Sequence, residues 1–470
     1  MNHSVHTSEQ ATAVSTPLVA ESGIPFVVGI SPVFSASAPM KAGVPVLITR
    51  WDEAVEKLGY SEDWKKYGLC EFMYSHFKLF SLQPVIFCNV LDVAKVKTAA
   101  DAADFAIKDH KAVLPFEALI DETLVVKAGD TALSSGTDYD CYYSNETLIV
   151  ELLSDSTSYG AQSLNISYSK VDVTKVTTAD IAAGIESVEL CLTKCGIIPD
   201  EMLSPGYSSN ASIAAAMTAK AANINGLFHA KALKDIPCGK DGALTYSEAI
   251  EYKNKNNFTD KDDIICWPMV KLDNRIFHLT SQLAGLIAQT DTENGGVPYE
   301  SPSNKALKCN GLCLEGGTEV DLTLAEANLL NSNGIITALN FVNGWCVWGN
   351  YTGCYPSNTD IKDHFLPIGR MFGWVANSLI KTFWSKLDKP MTRRLVDNIV
   401  DTANIWLNGL VGQEYLLGAR VECLESENPL SNLMAGIIKL HIYLTPPSPS
   451  QEIDFVLEYD ASYLEKALTM

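Results

Sequence analysis

The run Val85-Ile86-Phe87-Cys88-Asn89-Val90-Leu91, entered through Pro84, decides how this chain folds. It is apolar on both faces, so a strand built from it must be covered from both sides, as strands of a parallel sheet are. Upstream, Gly23-Ile24-Pro25-Phe26-Val27-Val28-Gly29 reads as a short apolar strand closed by glycine, and Val44–Thr49 as a second. Between them and residue 85, Asp52–Leu58 reads as a short helix capped by Asp52 and ended by Gly59. A longer helix is expected over Lys66–Ser81, with Leu69, Phe72, Met73, Phe77 and Phe80 on one stripe. Strand, helix and apolar strand in that order are the mark of a parallel βαβ unit.

Past residue 92 the pattern changes. Apart from a helix expected at Asp101–Lys108, short strands follow at Leu124–Lys127, Tyr139–Tyr143, Thr147–Leu152 and Ser163–Tyr168, separated by turn clusters such as Ala128-Gly129-Asp130. Alternation of helix and strand resumes at Ala179–Lys194 and continues through Asn210–Ala222, a strand near Leu227–Leu233, Tyr246–Asn254, Asp263–Pro268 and Thr280–Gln289. From about Tyr355 the chain turns helical, over Asp360–Leu387 and Thr392–Leu410, with a strand at Gly436–Leu444. The expected fold is a multidomain α/β protein. Its α/β core is discontinuous (23–92 plus 177–354), with an all-β domain inserted at 93–176 and an α+β domain at 355–445. Two extended arms, 1–22 and 446–470, flank these domains.

The second arm has its own signature. Pro446, Pro447 and Pro449 form a stiff hinge, since proline fixes φ and donates no backbone hydrogen bond. In Gln451–Tyr459 the residues Ile453, Phe455, Leu457 and Tyr459 recur with a period of two, as in a strand with one buried face. No turn and partner strand follow. Such a strand is expected to pair with a distant sheet edge or with another molecule, strand addition being an established recognition mode.

At 470 residues, 47% hydrophobic and 19% charged, the chain has the composition of a folded protein of several domains. No stretch approaches the roughly 20 apolar residues of a membrane helix, and residues 1–22 lack the basic start and apolar run of a secretory signal. The net charge of −21 argues against nucleic-acid binding by phosphate neutralisation. It is unevenly spread: Asp360–Thr445 carries nine basic and nine acidic residues, against a net −17 for residues 1–359. The carboxy-terminal region is thus a candidate docking face for an acidic partner.

Motifs for chemistry are missing. Gly239-Lys240 lacks the rest of a phosphate-binding loop, and there is no GxGxxG after a strand, no HExxH and no GxSxG. Asp260–Asp263 lacks the glycine and distal glutamate of a calcium loop. Cys191/Cys195 and Cys309/Cys313 share a CxxxC spacing that would supply four thiolates, but zinc knuckles are tighter and helical free cysteine is usually a small buried side chain. Among eight scattered histidines, His3 and His6 lie on the first arm, while His76, His229, His278 and His441 sit in apolar elements and read as packed or surface residues. No catalytic residue, metal ligand or cofactor site is expected.

Several segments, in order, resemble the tail sheath proteins of contractile phages and of related phage-tail-like bacteriocin particles. They begin with Gly23–Gly29, Gly43–Thr49 and Pro84–Asn89. Ser204-Pro205-Gly206-Tyr207-Ser208, Asp235-Ile236-Pro237, Trp267-Pro268 and Leu283-Ala284-Gly285-Leu286 follow, then Asp291, Gly295-Gly296 and Ser301–Asn304. The closest match is Asn343–Thr352, similar to the family's glycine–tryptophan–glycine–asparagine–x–threonine segment, with Tyr351 where the family usually carries arginine or another polar residue.

This resemblance implies a non-enzymatic, self-assembling subunit without cofactors. It would stack as helically arranged hexameric discs around an inner tail tube protein and meet baseplate and tail terminator proteins. Its arms would add strands to neighbouring subunits, with Ile453, Phe455, Leu457 and Tyr459 on the intersubunit strand. Contraction from a metastable extended state would drive the tube through a target envelope. The particle would be assembled in the bacterial cytoplasm, with no nucleic acid bound and no direct membrane insertion. Lys386, Lys389, Arg393 and Arg394, clustered at a helix junction, are the candidate tube contact. Two other readings remain at this point: a cytosolic α/β enzyme with the β insert as a lid, and a tail component that binds a ligand.

Overall fold

The computed structural model describes residues 17–468. His3, His6 and most of the first arm lie outside the described residues. Strand β1 (Pro25–Gly29) leads through β2 (Val46–Ile48), helix α1 (Trp51–Leu58) and α2 (Gly68–Met73) to β3 (Val85–Asn89). The core resumes with α3 (Thr178–Glu186), α4 (Cys191–Cys195), β4 (Glu201–Leu203), α5 (Ala211–Ala222) and β5 (Lys231–Asp235). It continues with α6 (Tyr246–Lys255), β6 (Asp263–Cys266), α7 (Leu279–Glu293), β7 (Ile335–Asn340) and β8 (Trp345–Trp348). These eight strands form one sheet in the order β8-β7-β6-β5-β4-β1-β3-β2, parallel throughout except for its two outermost strands.

Burial explains the sheet. Every residue of β1 and β3 is buried, as unbroken apolar runs require, and Phe26 aligns with both Ile86 and Met202. Helices α3 and α5 pack together on β1, β4 and β5, while α2 and α7 form a second group against the same strands. Gly184 lets α3 approach closely: a Cβ there would meet Val28 Cγ1 at 2.6 Å and Val90 Cγ1 at 2.5 Å.

Residues 97–171 supply two antiparallel sheets with their own core, including Leu114, Val126, Leu148, Val150, Leu164 and Ile166. Here one expectation is overturned: the helix read at Asp101–Lys108 is part of a strand, Lys97–Ala106. This alanine-rich stretch has helical propensity, yet it pairs with Ser163–Val171 along nearly its whole length, and tertiary pairing outweighs local preference.

The last lobe comprises α8 (Leu366–Phe383), α9 (Arg393–Gly412), β9 (Gly418–Glu422) and β10 (His441–Thr445), and a short helix α10 (Ser462–Leu468) lies in the tail. The helix expected over Asp360–Leu387 is interrupted. Phe365 is extended (φ −83, ψ 119) and α8 begins after it, because Pro367 removes a backbone donor and is best placed in a first turn. Asp52 does not cap α1. Its N-cap is Arg50, which makes no side-chain cap, and Glu53 instead accepts from the Thr49 amide. Gly59 ends the helix at φ +70 as expected.

Candidate assembly interface

The described part of the first arm lies along α8. Leu18 N donates to Thr382 Oγ1 and Ala20 N to Ser378 Oγ, both at 2.9 Å, and the Trp374 indole donates to Ala20 O at 2.8 Å. The small hydroxyl side chains of α8 let an extended backbone approach and give its polar groups partners, as buried amides require. Lys381 Nζ pairs with Glu21 at 2.6 Å.

Where the arm enters the core, Arg370 of α8 ties four segments together. Its guanidinium bonds Asp291 of α7 (Nη1–Oδ1 3.0 Å) and Asp200 before β4 (Nη2–Oδ2 2.7 Å), and Ser22 bonds both Asp291 and Arg370. Glu201 is fully buried 3.9 Å from the same guanidinium, and neither of its oxygens has a hydrogen-bond partner among the described residues. Burial, together with the adjacent Asp200 carboxylate, raises the Glu201 pKa well above the carboxylate range, and Arg370 offsets this only in part. Burial likewise raises Asp291. Of the three carboxyl groups around this cation, Glu201 is the one without a hydrogen-bond partner among the described residues, and burial favours its neutral form. The cluster welds the carboxy-terminal lobe and the first arm onto the sheet.

At the other end of the chain, β9 and β10 form a two-stranded antiparallel sheet in which Gly418 pairs with Thr445 and Glu422 with His441. Among the described residues neither strand has a further partner, so each presents an open edge. The chain then leaves through Pro446, Pro447 and Pro449, and residues 446–460 carry no regular secondary structure. One contact marks the root of the tail: the Tyr351 hydroxyl donates to Gln451 Oε1 at 2.7 Å, with the Tyr351 ring stacked 3.9 Å from Tyr355. Beyond it Ile453, Phe455, Leu457 and Tyr459 are 70%, 84%, 95% and 78% exposed, so the described residues of their own subunit give them no cover.

Lys386, Lys389, Arg393 and Arg394 are brought together at the turn between α8 and α9. Lys386 is half-buried and the other three are exposed, with Arg393 3.8 Å from Asp397. The expected histidines are placed elsewhere. His76 is stacked on Phe72 and held neutral by burial, its pKa lowered to about 3. His278 bonds the buried Glu71 at 2.7 Å, and that carboxylate overcomes the effect of burial to raise it to about 9. His229 Nδ1 meets Ala222 O, and His441 meets Glu427. Cys191 and Cys195 sit on α4, and Cys313 on a short strand beside Cys309. Among the described residues no three His, Cys, Asp or Glu side chains are placed to hold a metal ion.

Sequence reasoning singled out neither Arg370 nor the hold of Tyr351 on the tail. In the sequence Tyr351 stands out only as a departure from the family pattern.

No family model matches the chain. The tail sheath protein of Burkholderia phage BcepMu is 26% identical over 400 residues, spanning 81% of this chain and 82% of that one. The sheath of an extracellular contractile injection system (PVC), solved in the contracted state, superposes with a TM-score of 0.59 at 13% identity, over 98% of this chain and 99% of the other. The helical sheath of the anti-feeding prophage, also contracted, gives a TM-score of 0.60 at 13% identity, over 97% and 99%. These two structures share the fold. Over four-fifths of its length the chain is similar in sequence to a phage tail sheath protein, and over nearly all of its length it shares the fold of two contractile sheaths.

Proposed function

We propose that this protein is a structural, non-enzymatic subunit of a contractile sheath, built into a phage tail or tail-like particle that is assembled in the bacterial cytoplasm. One observation carries this reading. The lobe that holds a two-stranded sheet with open edges also emits a tail whose alternating apolar side chains are left uncovered by the described residues of their own subunit. Residues 453–459 of one copy extend the β9–β10 sheet of a neighbour, main-chain bonds supplying the affinity and alternate side chains the register. Residues 17–22, by contrast, lie on α8 of their own subunit, so the link between copies falls to the second arm. Residues 23–92 with 177–354 serve as the α/β core, 93–176 as an outer β domain, 355–445 as the linking lobe and 446–470 as the linking arm.

Copies stack as hexameric discs around an inner tube and end on baseplate and tail terminator proteins. The stroke comes from a metastable extended lattice relaxing to a better-packed one while the arms keep the copies joined. A peptide of residues 450–461 should cap the acceptor edge and arrest growing polymers, while the same peptide carrying Phe455→Asp and Leu457→Asp should leave growth unchanged. Growth that continues in a hundredfold excess of the unsubstituted peptide would count against strand exchange.

The tube contact falls to the basic turn between α8 and α9, in the lobe with no net charge. Lys389→Glu, Arg393→Glu and Arg394→Glu together should abolish co-assembly with the tube protein while leaving tube-free sheath polymers intact. Extended tails of normal length from this triple variant would dispose of the assignment.

A further inference from the structure

Two apolar features outside the tail lie towards opposite ends of the parallel strands. One is a knob. Strand β7 runs parallel to β6 with Ile336 opposite Cys266, the last residue of β6. It then continues four residues further to Asn340, roughly 13 Å at 3.3 Å per residue. Its hairpin with β8 therefore projects beyond the carboxyl ends of the parallel strands. The tip is Phe341-Val342-Asn343-Gly344, with Phe341 66% and Val342 79% exposed. Hairpin turns ordinarily carry Asn, Gly or Asp, because a large apolar side chain at the tip gains nothing from water.

The other feature is a hole. A groove of about 370 Å³ is lined by Leu18, Leu192, Leu227, Phe228, Ile380 and Trp384. Leu18 precedes β1, Leu192 sits on α4 ahead of β4, and Leu227 and Phe228 precede β5. The groove therefore lies at the amino ends of the same parallel strands. The cation on its rim, Lys381, is already neutralised by Glu21. An uncharged apolar tip would thus enter without stranding a charge.

A projecting knob at one pole and a hole at the other suit a contact between successive copies in a row. They meet head to tail, and head-to-tail contacts generate rings or open helical polymers. We infer that the hairpin tip Phe341-Val342 of one copy seats in the apolar groove between α4, α8 and the first arm of the next copy. This contact rests on the polymeric reading above and adds to it a second joint, separate from strand exchange. Because Leu18 forms one wall, the hole is complete only when the first arm lies along α8.

The test uses the full chain. Oxidising polymers of the double variant Val342→Cys/Leu227→Cys should produce a ladder of covalent multimers, collapsed by reductant and absent from each single variant. Phe341→Asp/Val342→Asp should raise the protein concentration needed for polymerisation at least tenfold, with no change in melting temperature, since the tip is solvent-exposed in the isolated subunit. Polymers that form at the usual threshold in the Asp variant, or that give no ladder in the Cys variant, overturn the inference. So does a ladder from Leu464→Cys/Leu227→Cys in its place, which would give the groove to helix α10 of the tail. The reading beneath it fails separately: peptide 450–461 then has no effect, or the unaltered chain does not polymerise at all.

Discussion

A chain shortened to residues 1–445 is expected to remain folded and to lose polymerisation altogether. Within a subunit the tail contributes the Tyr351–Gln451 hydrogen bond at its root, and its apolar side chains beyond that point are exposed. Pro446 is also buried at that root, so removal of the tail should lower the unfolding free energy by about 1–4 kcal/mol, the net worth of one hydrogen bond and one buried side chain. Between subunits the ledger differs. An added strand of seven residues makes about four to six main-chain bonds at roughly 0.5–1.5 kcal/mol each. Covering Ile453, Phe455, Leu457 and Tyr459 adds about 1.5–3 kcal/mol apiece, before the entropy of ordering the tail is subtracted. Light scattering alongside thermal denaturation reads both quantities. Polymers of ordinary length from the truncated chain would show that the tail is not the joint.

Arg370→Leu is expected to destabilise the subunit by about 3–5 kcal/mol, the range seen when one partner of a buried ion cluster is removed. The loss should be large because Asp200, Asp291 and Glu201 would remain in place with no cation beside them. Urea denaturation measures it, and hydrogen exchange over residues 17–24 should rise as the first arm loosens from α8. Glu201→Gln provides the contrast. A carboxyl whose folded pKa lies above its unfolded value contributes stability that is complete below the unfolded value and is lost as pH rises through the folded one. Glutamine has no proton to lose, so this variant should match the parent protein in acid and exceed it increasingly towards alkaline pH. A loss below about 1 kcal/mol for Arg370→Leu, or a pH-independent difference for Glu201→Gln, would remove the cluster from its structural role.

Much of the core could be read from local pattern. Strands β1 and β3 were visible because both faces are apolar, and the strand Thr147–Leu152 because its side chains alternate between buried and half-buried. What escaped depends on partners distant in the chain. Strand β5 lies four residues beyond the start of the segment expected for it, since Lys231, Lys234 and Asp235 interrupt the apolar run. Each is nonetheless buried, satisfied by Asp262 at 2.7 Å, Asp263 at 2.6 Å and Thr280. No sequence window of ordinary length contains those pairings.

The long helix at Lys66–Ser81 was expected as one regular element, yet from Tyr74 to Leu79 it widens into a π-helical stretch that apolar periodicity does not signal. The candidate interface divides in the same way. The alternation of Ile453–Tyr459 and the basic turn were legible as local composition. Tyr351 and Gln451 are 100 residues apart, and Arg370 and Ser22 are 348 apart. The knob Phe341-Val342 is legible only once the hairpin that exposes it is known.

Electron microscopy of the purified full-length protein, with no other component added, tests the central claim most directly. Long hollow tubes or stacked rings of uniform width, lost in the chain that ends at residue 445, are the expected result. Monomers or small closed oligomers at every concentration would contradict a lattice joined through the tails.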